Sequence, residues 1–110
     1  MKLIKAIVRP DVIDKVKDAL AQLYVSGVTV TEVRGHGRQR GQTAVYRGQE
    51  YAVSLLPKIE IEAVVVDDVV DEVVRTIINT ARTGEIGDGR VFVLPVEETY
   101  RVRTRDLVRD

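Results

Sequence analysis

Apolar and polar residues alternate from Leu3 to Val8, which places Ile4, Ala6 and Val8 on one face. That two-residue period predicts a half-buried strand. The period then lengthens, and Val12, Ile13, Val16, Ala19, Leu20 and Leu23 fall along one stripe of a helix. A second strand is expected over Val28–Arg34. The same order of patterns then returns. Ile59, Ile61, Ala63 and Val65 alternate as a strand face, and Val69, Val70, Val73, Val74, Ile77, Ile78 and Ala81 form a helical stripe. Arg90–Leu94 closes the series as a strand. Asp11 and Asp68 are expected as helix N-caps, with Asp14 and Asp71 favourably placed toward the helix dipoles. Gly27 and Gly84 are expected to end the two helices.

The recurrence is literal as well as periodic. Ala6-Ile7-Val8-Arg9-Pro10-Asp11-Val12-Ile13-Asp14-Lys15-Val16 overlies Ala63-Val64-Val65-Val66-Asp67-Asp68-Val69-Val70-Asp71-Glu72-Val73 at a shift of 57 positions. Such self-similarity reports architecture. Two β-α-β units in tandem predict an α+β fold, the ferredoxin-like βαββαβ sandwich with both helices on one face of an antiparallel sheet. A single domain over residues 1–110 is expected. The other sheet face would carry Leu3, Lys5, Ile7, Glu60, Glu62, Val64 and Val66. Its mixed character suits either a solvated outer face or a surface over which subunits meet.

Between the two units lies a stretch with neither period, Gly35 to Pro57, here expected to lack regular structure. Compact domains seldom keep an irregular loop beyond about 12–15 residues unless it is functional or disordered. Arg38, Arg40 and Arg47 in it face one acid, Glu50, and Tyr46 and Tyr51 have little core to enter. After Pro95 an extended run, Val96–Thr104, puts Arg101 and Arg103 on one face, ahead of a solvated tail. Two readings fit that pair: edge charges that discourage aggregation, or a clamp for phosphate.

Composition narrows what such a scaffold can do. Lys+Arg and Asp+Glu both number 17, so no net field draws in nucleic acid or an anionic membrane, and any anion site must be local. No cysteine is present, which excludes a disulfide framework, a thiol nucleophile and thiolate metal sites. His36 is the one histidine, so no subunit can supply a multi-histidine metal site. No signal peptide is visible and no apolar run reaches membrane-spanning length, making the cytoplasm the expected location.

Thr83-Gly84-Glu85-Ile86-Gly87-Asp88-Gly89-Arg90 is a glycine-rich turn, either a plain helix-to-strand connection or an anion-binding nest. It lacks the Lys-Ser/Thr of a Walker loop. Lys58 stands where the long loop returns and suits a carboxylate. No catalytic constellation emerges, so the chain reads as a binder and not an enzyme.

These pieces together resemble the PII family of nitrogen-regulatory signal-transduction proteins. The carrying motifs are Thr29-Val30-Thr31-Glu32-Val33, Gly37-Arg38-Gln39 with Gly41, Tyr46-Arg47-Gly48 with Glu50-Tyr51, Leu56-Pro57-Lys58, Thr83-Gly84 with Ile86-Gly87-Asp88-Gly89, and Arg101-Val102-Arg103-Thr104. The resemblance implies a homotrimer that binds ATP or ADP between subunits, and 2-oxoglutarate together with Mg-ATP. Ile7, Thr29, Glu62 and Val64 would then surround adenine and ribose. Gly35, His36, Gly37, Arg38, Gln39, Gly87, Asp88, Gly89 and Arg90 would hold ribose and phosphates, with Arg101 and Arg103 reaching the phosphates.

Arg9, Gln39, Arg40, Gly41, Lys58 and Gly87 would surround 2-oxoglutarate, Gln39 also arranging the Mg2+ ion. The long loop would dock on an ammonium channel or on nitrogen-metabolism enzymes, a channel being one route to the membrane. Tyr51 matches a tyrosine that a nucleotidylyltransferase modifies in many members. Arg9, Arg40 and Arg90 stand where lysine is common, and Arg105 where glycine is. No nucleic-acid partner is implied. An RNA- or protein-interaction module gripping through the Arg-rich loop is the competing reading, although the sheet strands lack the aromatic residues that RNA readers on this fold use.

Overall fold

Strand β1 (Lys2–Val8) leads through a 3₁₀ turn (Pro10–Val12) into helix α1 (Ile13–Gln22), and β2 (Val28–Gly35) follows. A two-stranded ribbon, β3 (Thr43–Tyr46) and β4 (Gln49–Ala52), precedes the long strand β5 (Leu56–Val65). A second 3₁₀ turn (Asp67–Val69), helix α2 (Val70–Ala81) and β6 (Gly89–Pro95) complete the order. The computed structural model describes residues 1–25, 27–36, 43–46, 49–52 and 55–108, with 43–46 and 49–52 as backbone alone.

Four strands form one antiparallel sheet in the order β2-β5-β1-β6, and both helices pack on the same face. This is the ferredoxin-like arrangement that the two tandem units predict. The repeat is kept to the residue. β1 ends at Val8 and β5 at Val65, the 3₁₀ turns begin at Pro10 and Asp67, and the helices begin at Ile13 and Val70, each pair 57 apart. The core lies where the alternation and the helical stripes meet. Ile4, Ala6 and Val8 of β1 and Ile61, Ala63 and Val65 of β5 are buried against Val16 and Leu20 of α1 and Val73, Ile77 and Ala81 of α2. No polar side chain among the described residues is fully buried. No helix among them is long and apolar enough to cross a membrane.

Four local expectations are corrected. Asp11 and Asp68 are not N-caps: each lies inside a 3₁₀ turn, and the residues before α1 and α2 are Val12 and Val69, without side-chain caps. Tyr24, not Gly27, turns the chain out of α1, with φ 61°. The Val25 N–H donates to the Leu20 carbonyl (3.1 Å) and the Tyr24 N–H to that of Ala21 (3.0 Å), the paired bonds of a Schellman ending. Likewise α2 leaves through an extended Arg82, and Gly84, at φ 91°, lies beyond it in the next turn.

The third correction concerns the long loop, which is not wholly irregular. Thr43 to Tyr46 pair with Ala52 to Gln49 in an antiparallel ribbon. Fourth, the run after Pro95 does not stay extended to Thr104. Tyr100 bridges Leu107, the Arg101 N–H donates to the Asp106 carbonyl (2.9 Å), and Arg105 takes φ 65°. A left-handed residue at 105 accounts for the glycine that the resemblance leads one to expect there.

Candidate functional site

Directly paired residues point to the same side of a sheet. Cross-strand register therefore fixes which candidates share the face left open by the helices. One row across it reads Thr31, Glu60, Ile7, Arg90, and the next reads Thr29, Glu62, Lys5, Phe92. Val64, Leu3 and Leu94 form a third. Ile7, Thr29, Glu62, Val64 and Arg90, from four different strands, thus lie on one surface. Its charges are partly paired, with Lys5 Nζ 3.6 Å from Glu60 Oε1. Its apolar members are not covered: Val64, Phe92 and Leu94 are 41%, 40% and 39% exposed.

At one end of this face the turn between α2 and β6 is tied down by three ionisable side chains. Asp88 is its hub. Its Oδ2 accepts from the backbone N–H groups of Thr83 (2.8 Å) and Gly84 (2.9 Å), and its Oδ1 accepts from the Thr83 hydroxyl and from Arg9 Nε (3.2 Å). Arg9 follows the last residue of β1, and its Nη2 also donates to the Ile86 carbonyl (2.8 Å). Lys58, near the start of β5, donates from Nζ to the Gly87 carbonyl (2.8 Å). Gly89 opens β6 at φ 115°, where no side chain fits.

The electrostatics follow from those contacts. The Thr83 hydroxyl first, then the turn's backbone N–H groups and Arg9, holds the Asp88 carboxyl well below the usual range, so it is ionised. Partial burial, and then the neighbouring Arg9 charge, lowers Lys58 from the usual lysine value, while Asp88 opposes that shift. Two cations beside one anion leave a local excess of positive charge in a protein of zero net charge. A cavity of about 510 Å³ opens next to Lys58, lined also by Pro10, Glu32, Val33, Arg34, Pro57 and Ile59.

The structure thus gathers Ile7, Arg9, Lys58, Gly87, Asp88, Gly89 and Arg90, and a methyl group placed on Gly35 would reach the Lys58 side chain at 3.6 Å. His36, just past β2, is exposed. Arg101 and Arg103 are not gathered with them by the sheet. The chain leaves β6 with the Val96 N–H bonded to the Met1 carbonyl, whereas Gly89 pairs with Val8 at the other end of β1. A seven-residue strand separates those ends by about 20 Å. Arg101 Nη1 instead meets Asp106 Oδ2 at 2.8 Å.

Gly37, Arg38, Gln39, Arg40 and Gly41 lie outside the described residues, and of Tyr51 only the backbone, in β4, is described. Among the described residues, four outside the sequence-derived set take part: Thr83 and Gly84, as partners of Asp88, Ile86, whose carbonyl accepts from Arg9, and Asp106, as the partner of Arg101. A hydroxyl five residues before an aspartate across a glycine turn was the available signal for Thr83.

Comparison with known proteins decides the family. The family profile "Nitrogen regulatory protein P-II" matches residues 1–106. A relative of that name in Klebsiella oxytoca is 56% identical over 104 residues, 94% of this chain and 93% of its own length. Nitrogen regulatory protein P-II 1 of Escherichia coli K12 matches equally well, and the Haemophilus influenzae protein is 51% identical over the same coverage. The chain belongs to the nitrogen regulatory protein P-II family. It is accordingly a signal-transduction regulator with a nitrogen-regulatory role, not an enzyme.

Proposed function

We propose that three copies assemble over the open sheet face and bind ATP or ADP in the clefts between them. The observation that carries this reading is the division of the anion-binding groups. Arg9, Lys58, Arg90 and the Gly87–Gly89 turn stand at one end of the sheet, while the segment bearing Arg101 and Arg103 departs from the other. A second copy is the simplest source of the missing arginines. The exposed Val64, Phe92 and Leu94, with the half-buried Leu3 beside them, supply a surface for that copy to bury.

Within the cleft, Ile7, Thr29, Glu62 and Val64 take the adenine and ribose. Gly35, His36, Gly37, Arg38, Gln39, Gly87, Asp88, Gly89 and Arg90 hold ribose and phosphates, joined by Arg101 and Arg103. Lys58 and Gly87, with Gln39, Arg40 and Gly41 and with Arg9 at the border, receive 2-oxoglutarate. Among the described residues no group of three or more His, Asp or Glu gathers, so the protein offers no metal centre of its own there. Mg2+ fits as a companion of the triphosphate, with Gln39 helping to arrange it.

Regulation is by differential binding: ATP with 2-oxoglutarate and ADP favour different arrangements of the segment between β2 and β5, and targets select one. The targets are an ammonium channel or nitrogen-metabolism enzymes in the cytoplasm, and Tyr51 is the nucleotidylylation site. Titration calorimetry of ATP and ADP, with the assembly state measured by sedimentation, tests this directly. One nucleotide site per chain on a trimer is expected; a monomer without nucleotide affinity overturns it.

A further inference from the structure

The two cations at the glycine-rich turn are used differently. Lys58 has one nitrogen and one acceptor, the Gly87 carbonyl. Arg9 applies two separate nitrogens to two acceptors on the same turn, Nε to Asp88 Oδ1 at 3.2 Å and Nη2 to the Ile86 carbonyl at 2.8 Å. Asp88 passes that hold on to the N–H groups of Thr83 and Gly84.

The turn needs such a hold. Gly84 and Gly87 both adopt positive φ, Ile86 is 60% exposed, and none of residues 83–88 belongs to the buried core. A glycine-rich segment without packed side chains keeps much of its conformational freedom unless hydrogen bonds remove it. The guanidinium is a planar fork that fixes two acceptors relative to one another, which a lysine ammonium of equal charge does not do. Its charge is also matched by Asp88, whereas among the described residues Lys58 and Arg90 have no acidic partner at this turn.

We propose that Arg9 is a positioning residue for nucleotide: its fork sets the conformation of the Thr83–Asp88 turn, and it acts on nucleotide through that turn and not by touching the nucleotide itself. This rests on the reading of the turn as a phosphate cradle. Substituting Arg9→Lys keeps the charge and removes the two-point hold.

The test combines Arg9→Lys, Asp88→Asn and the double variant in the full chain. ATP is titrated with no dicarboxylate present, and the backbone amides of Thr83 and Gly84 are followed by NMR without ligand. Arg9→Lys is expected to weaken ATP about tenfold, the scale of one charge-assisted hydrogen bond. It should shift those two amide signals while leaving the core amides unmoved. The double variant should weaken ATP by less than the two single effects combined, because Arg9 and Asp88 share one of Arg9's two contacts with the turn. Wild-type ATP affinity in Arg9→Lys, with only the response to added 2-oxoglutarate lost, would confine Arg9 to contact with that ligand and overturn the proposal. Should the wild-type protein bind no adenine nucleotide, the cradle reading fails, and unmoved Thr83 and Gly84 amides in Arg9→Lys would separately overturn the positioning role.

Discussion

A methyl group placed on Gly89 would lie 1.8 Å from the carbonyl oxygen of Ile7, on the strand beside it. The contact is with backbone, so no side-chain movement relieves it. Gly89 also holds φ 115°, a conformation that L-residues avoid. Gly89→Ala should therefore destabilise the protein by roughly 2–4 kcal/mol through clash and backbone strain together. Urea unfolding of the variant beside wild type measures this. An unchanged midpoint would mean that β6 does not start where the register places it.

Asp88 sets an expected acid dependence. Its folded-state pKa is depressed, so the stability it contributes is complete above the ordinary carboxylate value of about 3.9. That contribution is lost as pH falls through the depressed value. Asp88→Asn removes charge-assisted bonds and should cost about 2 kcal/mol at neutral pH. The stability gap between wild type and Asp88→Asn should then narrow on acidification below pH ~4. Paired unfolding curves across acid pH provide the check; a gap that widens as pH falls would contradict the assignment.

Tyr24 ends α1 with a left-handed conformation while its side chain is 93% exposed. It contributes strain and little packing within the chain. Tyr24→Gly should stabilise the protein, by roughly 0.5–1 kcal/mol after allowing for the greater freedom of glycine in the unfolded chain. Loss of stability on thermal unfolding would show that the exposed ring has a partner in the assembly.

Arg101 is occupied by Asp106 within its own chain, and Thr104 donates to the same carboxylate. If Arg101 receives phosphate, Asp106 must first give it up. The pair is half exposed and so worth at most about 1 kcal/mol, which bounds the gain at about fivefold. Asp106→Asn is expected to tighten ATP within that bound, and Arg101→Ala with Arg103→Ala to weaken it while the proposed trimer persists. Calorimetry showing ATP affinity unchanged in the double alanine variant would remove both arginines from the site.

Local periodicity carried most of the fold. Ile4 and Ala6 against Ile61 and Ala63 reproduce the alternation, and Val16, Leu20, Val73 and Ile77 the helical stripes. Where the helices begin was less legible. Asp11 and Asp68 carry cap chemistry, but 3₁₀ turns absorb them before the α-helices start. The ribbon β3–β4 had a signal in the two-residue, glycine-containing gap at Arg47-Gly48, masked by the polar composition around it.

Of the candidate site, register alone would place Ile7 beside Arg90 and Thr29 beside Glu62 once the strand order is known. The clustering of Arg9 with Asp88 was not available from spacing. They are 79 positions apart, and their meeting depends on β1 ending beside the start of β6.

The central claim is that one site senses nucleotide and 2-oxoglutarate together. ATP titrated calorimetrically with Mg2+, with and without 2-oxoglutarate, measures that coupling. Binding of each ligand should be strengthened by the other by an equal factor, on the order of 5–150-fold. ATP affinity that does not change when 2-oxoglutarate is added would contradict it.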